Sequence, residues 1–137
     1  MREIKFRAWD KEKKEWVNAT TVYIEANHGD VVHVHDLGTD KEQKWLNCKH
    51  IEISQFTGLK DKNGKEIYEG DIVLAYHPTV MTNGIYPPQV VEWYTKQHSH
   101  TFAAWYLKPK NGHGILMDDD SKYEIIGNIY ENSELLK

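Results

Sequence analysis

Gln55-Phe56-Thr57-Gly58-Leu59-Lys60-Asp61-Lys62-Asn63-Gly64-Lys65-Glu66-Ile67-Tyr68-Glu69-Gly70-Asp71-Ile72-Val73 decides how the chain is read. It holds three of the nine glycines and divides the 137 residues roughly in half. Asn63-Gly64 is the favoured pair for a two-residue type I′ turn, whose central positions both need positive φ. The flanks, 59–62 and 65–68, are short and polar, so a small exposed hairpin is expected. Glu69-Gly70-Asp71 then turns the chain into Ile72-Val73-Leu74-Ala75-Tyr76. That run is almost wholly apolar and predicts a strand buried on both sides.

Downstream, Pro78 ends the strand, and 77–88 reads as a loop carrying Asn83-Gly84 and Pro87-Pro88. Further strands are expected at 89–94, 101–107, 115–117 or 122–126, and 128–130, with Gly127 a break or bulge. Ser133 is placed to cap a last helical turn at 134–137. Short strands closely spaced by turns signify small antiparallel sheets or barrels. Counted from Gly70-Asp71, they suggest an SH3-like barrel.

Upstream, Ile4-Lys5-Phe6-Arg7-Ala8 has the period of a half-buried strand, with Ile4, Phe6 and Ala8 inward and Lys5 and Arg7 outward. Asp10–Glu15 is a charged turn and Trp16-Val17 a return strand. Thr20–Ala26 and Val31–Asp36 read as two strands around an Asn27-His28-Gly29-Asp30 turn. Residues 37–44 read as a loop, and apolar signal resumes at Trp45-Leu46 and Ile51-Glu52-Ile53. The fold class expected is all-β and mainly antiparallel, with two small barrel-like halves, 1–57 and 58–137, and very little helix.

Composition narrows the function classes. Hydrophobic residues are 39% of the chain, yet five Trp, eight Tyr and three Phe supply large surfaces to bury. The formal net charge of −4 argues against sequence-independent nucleic-acid binding, which needs a basic footprint. Residues 1–20 carry six basic and four acidic side chains, and 112–137 two basic and six acidic. That asymmetry suggests contacts steered by charge. Cys48 alone builds no internal disulfide and fits a reducing compartment. No apolar run is long enough to span a membrane. The alternating N-terminus is not a secretory signal, so a cytoplasmic location is expected.

Met1–Asp10, the stretch 55–73, Val91-Glu92-Trp93 and Ile125-Ile126-Gly127-Asn128-Ile129-Tyr130-Glu131-Asn132 together resemble the YopX family of phage and prophage proteins. The resemblance spans both ends and the centre; 17–50 and 77–122 carry no matching signature. It implies a two-part all-β protein with an SH3-like second half. It implies no activity, and no catalytic residue carries over.

The residues themselves offer few sites. Trp93, Tyr94, Trp105 and Tyr106 form an aromatic group on neighbouring strands. Alternation would turn one member of each adjacent pair inward to the core and leave the other for a binding patch, with Lys96, Lys108 and Lys110 near in sequence. His33 and His35 share one strand face and would offer two imidazoles to a metal, but two ligands do not define a site. Asp118-Asp119-Asp120 lacks the spacing of a calcium loop and reads as a solvated turn. No nucleophile elbow, Walker A or dinucleotide fingerprint occurs. The expectation is a non-enzymatic protein without cofactor, acting through a protein partner or as a homo-oligomer. Nucleic-acid binding through the SH3-like half is the alternative, and a metal-dependent enzyme at His33 and His35 the second.

Overall fold

The structure is a computed structural model describing residues 3–17, 21–24, 32–35, 50–76, 86–96, 102–119 and 121–137, with backbone alone at 21–24, 32–35, 95, 96 and 102. Every strand pairing among these residues is antiparallel, and helix is confined to the 3-10 turn at Ser133–Leu136 and to His50, which has 3-10 conformation. The all-β expectation is met. The chain divides into two compact units, Ile4–Gln55 and Phe56–Lys137 with Met1–Glu3.

In the first unit, β1 (Phe6–Asp10) lies between β2 (Glu15–Val17) and the first half of β5 (Ile51–Lys60). The charged run after β1 turns because Asp10 organises it. Its Oδ1 accepts from Glu12 N and Lys13 N at 2.9 and 3.0 Å, and its carbonyl accepts from Lys14 N. The simple inward/outward alternation does not hold here. Ile4, expected inward, precedes the strand and is exposed, whereas Ala8, Trp9 and Asp10 are all buried. As the central strand, β1 has its second face covered too. Trp9 meets Trp16 edge-on at 5.1 Å, and the Arg7 guanidinium lies 4.3 Å above the Trp16 ring. β3 (Thr21–Ile24) and β4 (Val32–His35) form a separate ribbon with Thr21 opposite His35 and Tyr23 opposite His33.

The second unit contains the end of β5 paired with β6 (Glu66–Tyr68), and a five-stranded sheet. The sheet is built from β7 (Asp71–Tyr76), β8 (Gln89–Lys96), β9 (Phe102–Pro109), β10 (Ile115–Leu116) and β11 (Lys122–Asn128), in the order β10-β9-β8-β7-β11. Ile67, Val73, Ala75, Val91, Trp105, Leu107 and Tyr123 make its core. No ladder among the described residues joins β10 to β11. The SH3-like expectation is therefore met only at the level of a five-stranded antiparallel sheet.

The stretch from Gln55 to Val73 is tied down residue by residue. Buried Thr57 donates from Oγ1 to the Ile67 carbonyl and accepts from Leu59 N. Asp71 Oδ2 accepts from Tyr68 N, and Gly70 N donates to the Val91 carbonyl. The Asn63-Gly64 turn differs from the type I′ expectation. Gly64 has φ +81, but Asn63 is not among the positive-φ residues. Gly64 N donates to Asp61 O and Asp61 N to Lys65 O. This is a three-residue loop, a type I turn closed by a left-handed glycine.

Nor is the hairpin simply exposed. The Asp61 side chain is buried and holds the turn from inside. Oδ1 accepts from Asn63 N at 2.8 Å and Lys65 N at 2.9 Å, and Oδ2 from Ile125 N at 3.3 Å. Lys62 N donates to the Tyr123 carbonyl. The turn thus caps the outer edge of β11, a way of blunting a free strand edge.

Gly127 does mark a bulge, where the β11–β7 register shifts between Ile125 and Gly127. Two expectations at the C-terminus are corrected. The segment after Asn128 is a turn and does not continue the strand, because Asn128 Oδ1 accepts from Tyr130 N and Glu131 N. Ser133 lies inside the 3-10 helix, and Asn132 takes the N-cap position.

Candidate aromatic interface

The β8–β9 ladder places Trp93 opposite Trp105 and Glu92 opposite Tyr106. Successive side chains on a strand point to opposite faces, so the four aromatics expected as one group separate into two pairs. Trp93 and Trp105 share the face that carries Val91 and Leu107, with ring centroids 4.9 Å apart at 71°. Tyr94 and Tyr106 share the other face, diagonal across the ladder and stacked at 4.9 Å and 24°. Such contacts add about 0.5–1.5 kcal/mol to a pair beyond simple area burial.

Burial distinguishes the members. Trp105 is core at 7% exposed, whereas Trp93, on the same face, is 44% exposed and Tyr94 37%. Inward parity does not bury Trp93, which lies farther along the ladder than the Val91–Leu107 pair at the centre of the core. Tyr106 is anchored by its hydroxyl, which accepts from Gly114 N at 2.6 Å. Leu116, opposite Tyr106 on β10, is also exposed and extends the tyrosine face. The Trp105 indole N–H is buried without a hydrogen-bond partner, as is Gln89 Oε1. An unpaired buried donor costs about 1–3 kcal/mol.

Two of the lysines near this ladder, Lys108 and Lys110, are engaged. Lys108 Nζ lies 3.4 Å from Glu92 Oε1, and Lys110 Nζ donates to the Lys137 carbonyl. Elsewhere in the unit Lys62 Nζ pairs with Glu124 Oε2 at 2.7 Å, and the Tyr76 hydroxyl donates to the same oxygen at 2.8 Å. These two bonds hold the Glu124 carboxyl below its ordinary range, while the bonds to Glu124 push Lys62 and Tyr76 up. Three ordinary polar groups satisfying one another make a surface cross-strand link.

His33 and His35 occupy alternate positions on β4. Of the residues that could supply a third ligand to such a pair, His28 and Asp30 lie outside the described residues, as do Cys48 and Asp120, and His50 is described and half-buried. Among the described residues no group of three His, Cys, Asp or Glu is placed to hold a metal ion. At the described part of the acidic run, Asp118 Oδ1 accepts from Ser121 N. The Tyr123 hydroxyl accepts from Asp118 N and donates to Asp118 O. Burial pushes the Tyr123 hydroxyl up from its ordinary value. Sequence reasoning missed the Arg7–Trp16 stack, since alternation alone put Arg7 in solvent.

The described residues thus define a small antiparallel β protein of two units, with an exposed Trp-Tyr dipeptide on the second and its most distinctive motif devoted to turns. The chain belongs to the YopX family: the family model, described as YopX protein, matches residues 5–137. Protein EF1440 from Enterococcus faecalis shares the fold with a TM-score of 0.60 at 26% identity over 100% of both chains. Protein yopX from Bacillus subtilis does so at 0.55 and 18%, again over 100% of both chains, a likeness of fold alone. No curated protein sequence matches the chain. No helix among the described residues is long and apolar enough to cross a membrane.

Proposed function

We propose that this chain is a phage- or prophage-encoded accessory protein of the host cytoplasm that acts without catalysis, by binding a protein partner through the end of the β8–β9 ladder, with Trp93 as the anchor on one face and Tyr94 exposed on the other. The phage origin rests on family membership. The binding role rests on one observation above the others: Trp93 is 44% exposed while braced edge-on against a buried Trp105, with Tyr94, 37% exposed, on the opposite face of the same strand end. Large aromatics held rigidly at a surface are the commonest anchors of protein interfaces, because they bury much area at little entropic cost.

A protein partner is favoured over nucleic acid by charge. Lys108 and Lys110 are already paired, and the chain carries a net −4, which leaves little for phosphates. A second copy of the chain is one such partner, giving a homo-oligomer. The test is capture of partners by the full tagged chain from phage-bearing cells, with Trp93→Ala beside the wild type and light scattering to count copies. Loss of a specific partner by roughly thirtyfold or more in Trp93→Ala supports the reading, since an anchor contributes at least about 2 kcal/mol. Retention of every partner, or gel shifts with DNA or RNA that depend on Trp93, refutes it.

A further inference from the structure

Two Asn-Gly pairs among the described residues share a preceding lysine, Lys62-Asn63-Gly64 and Lys110-Asn111-Gly112. The dipeptide is the one most prone to intramolecular cyclisation, because glycine leaves the following amide nitrogen unshielded. The fold treats the two pairs oppositely. At the first, the attacking nitrogen is held and the turn around it is closed. Gly64 N donates to the Asp61 carbonyl at 2.9 Å, and Asn63 N and Lys65 N donate to the Asp61 carboxylate at 2.8 and 2.9 Å. At the second, in the loop joining β9 to β10, Asn111 and Gly112 are exposed, and neither has a hydrogen bond among the described residues. Gly112 has φ +92, with no atom within 4 Å of the position a Cβ would take.

We propose that Asn111 is a site of spontaneous deamidation in the folded protein and that Asn63 is protected from it. The Gly112 amide nitrogen attacks Asn111 Cγ. The new N–C bond forms as Cγ–Nδ2 breaks, and the proton of the attacking nitrogen leaves with Nδ2 as ammonia. Water then opens the cyclic imide at either carbonyl, giving aspartate or isoaspartate. Either product adds one negative charge to a chain already at −4. Isoaspartate also lengthens the backbone of the loop that sets Gly114 against Tyr106. It would make the chain a substrate for an isoaspartyl methyltransferase using S-adenosylmethionine.

The test ages the full chain in mildly alkaline buffer and follows residues 63 and 111 by peptide mapping, with isoaspartyl methylation as a second readout. Folded protein should convert Asn111 faster than Asn63 by roughly fivefold, the effect of freeing the one hydrogen bond that holds the attacking nitrogen, about 1 kcal/mol. In urea the two sites should convert at equal rates, because only the fold distinguishes them. Asn111→Gln should remove the methylation signal from the peptide that spans 111–112, leaving the contribution of Asn83-Gly84 to be mapped separately. Equal rates in the folded chain, or faster loss at Asn63, overturn the proposal. So does a difference between the sites that persists in urea, since it would then belong to local sequence.

Discussion

Asp61→Ala removes the one side chain on which the central turn and the edge of β11 both depend. The buried carboxylate accepts from Asn63 N, Lys65 N and Ile125 N at 2.8, 2.9 and 3.3 Å. The first two bonds close a turn as an N-cap closes a helix, where loss costs about 1 kcal/mol each. The third is long and contributes less, but its donor lies on a half-buried strand. The expected cost is about 2–3 kcal/mol, against about 1 kcal/mol for Asp61→Asn, which keeps an acceptor oxygen and gives up the charge.

Urea unfolding of the full chain followed by tryptophan emission measures the total. Amide exchange at Ile125, Asn63 and Lys65 shows where it arises. Acid adds a second signature. Burial pushes the Asp61 carboxyl up, but the bonds from Lys65, Asn63 and Ile125 outweigh it and hold the group below its ordinary 3.8. Its contribution is therefore complete above 3.8 and fades as pH falls through the lower folded-state value. The gap between wild type and Asp61→Asn should narrow in that range. An Asp61→Ala loss under about 0.5 kcal/mol, the level of an ordinary surface change, would refute the reasoning.

Other outcomes follow from close approach and burial. A Cβ on Gly114 would sit 1.9 Å from the Leu107 carbonyl and 2.6 Å from the Tyr106 ring. Gly114→Ala should thus destabilise by more than about 3 kcal/mol or block folding, while Gly64→Ala, strained only in φ, should cost about 1–2 kcal/mol; thermal melts compare them. Trp105→Ala should cost about 3–5 kcal/mol and Trp93→Ala much less, and similar losses in urea titrations would mean that Trp93 is part of the core.

Several features were legible because they are local. The bulge at Gly127, the apolar run of β7 and the strands at 89–94 and 101–107 follow from glycine geometry and a period of two. The antiparallel all-β class follows from turn spacing. The candidate interface was legible as four residues but not as two faces. Neighbouring aromatics separate by alternation, yet only the pairing of Trp93 with Trp105, and their different depths in the sheet, say which is core and which is surface. Arg7 was misplaced for the same reason, since its partner Trp16 comes from across the ladder.

Asn63-Gly64 draws the same line. The dipeptide by itself determined that the chain turns there and that a glycine takes positive φ. Only the tertiary structure decided which turn it is and what the turn does. Asp61 is buried against β11, 64 residues away, and its carboxylate holds two loop amides and a strand amide together. Propensity acts within a few residues, while an acceptor's partners depend on what the rest of the chain brings within 3 Å or so. The stretch that identifies the family is thus distinctive because its polar residues are committed to holding the fold.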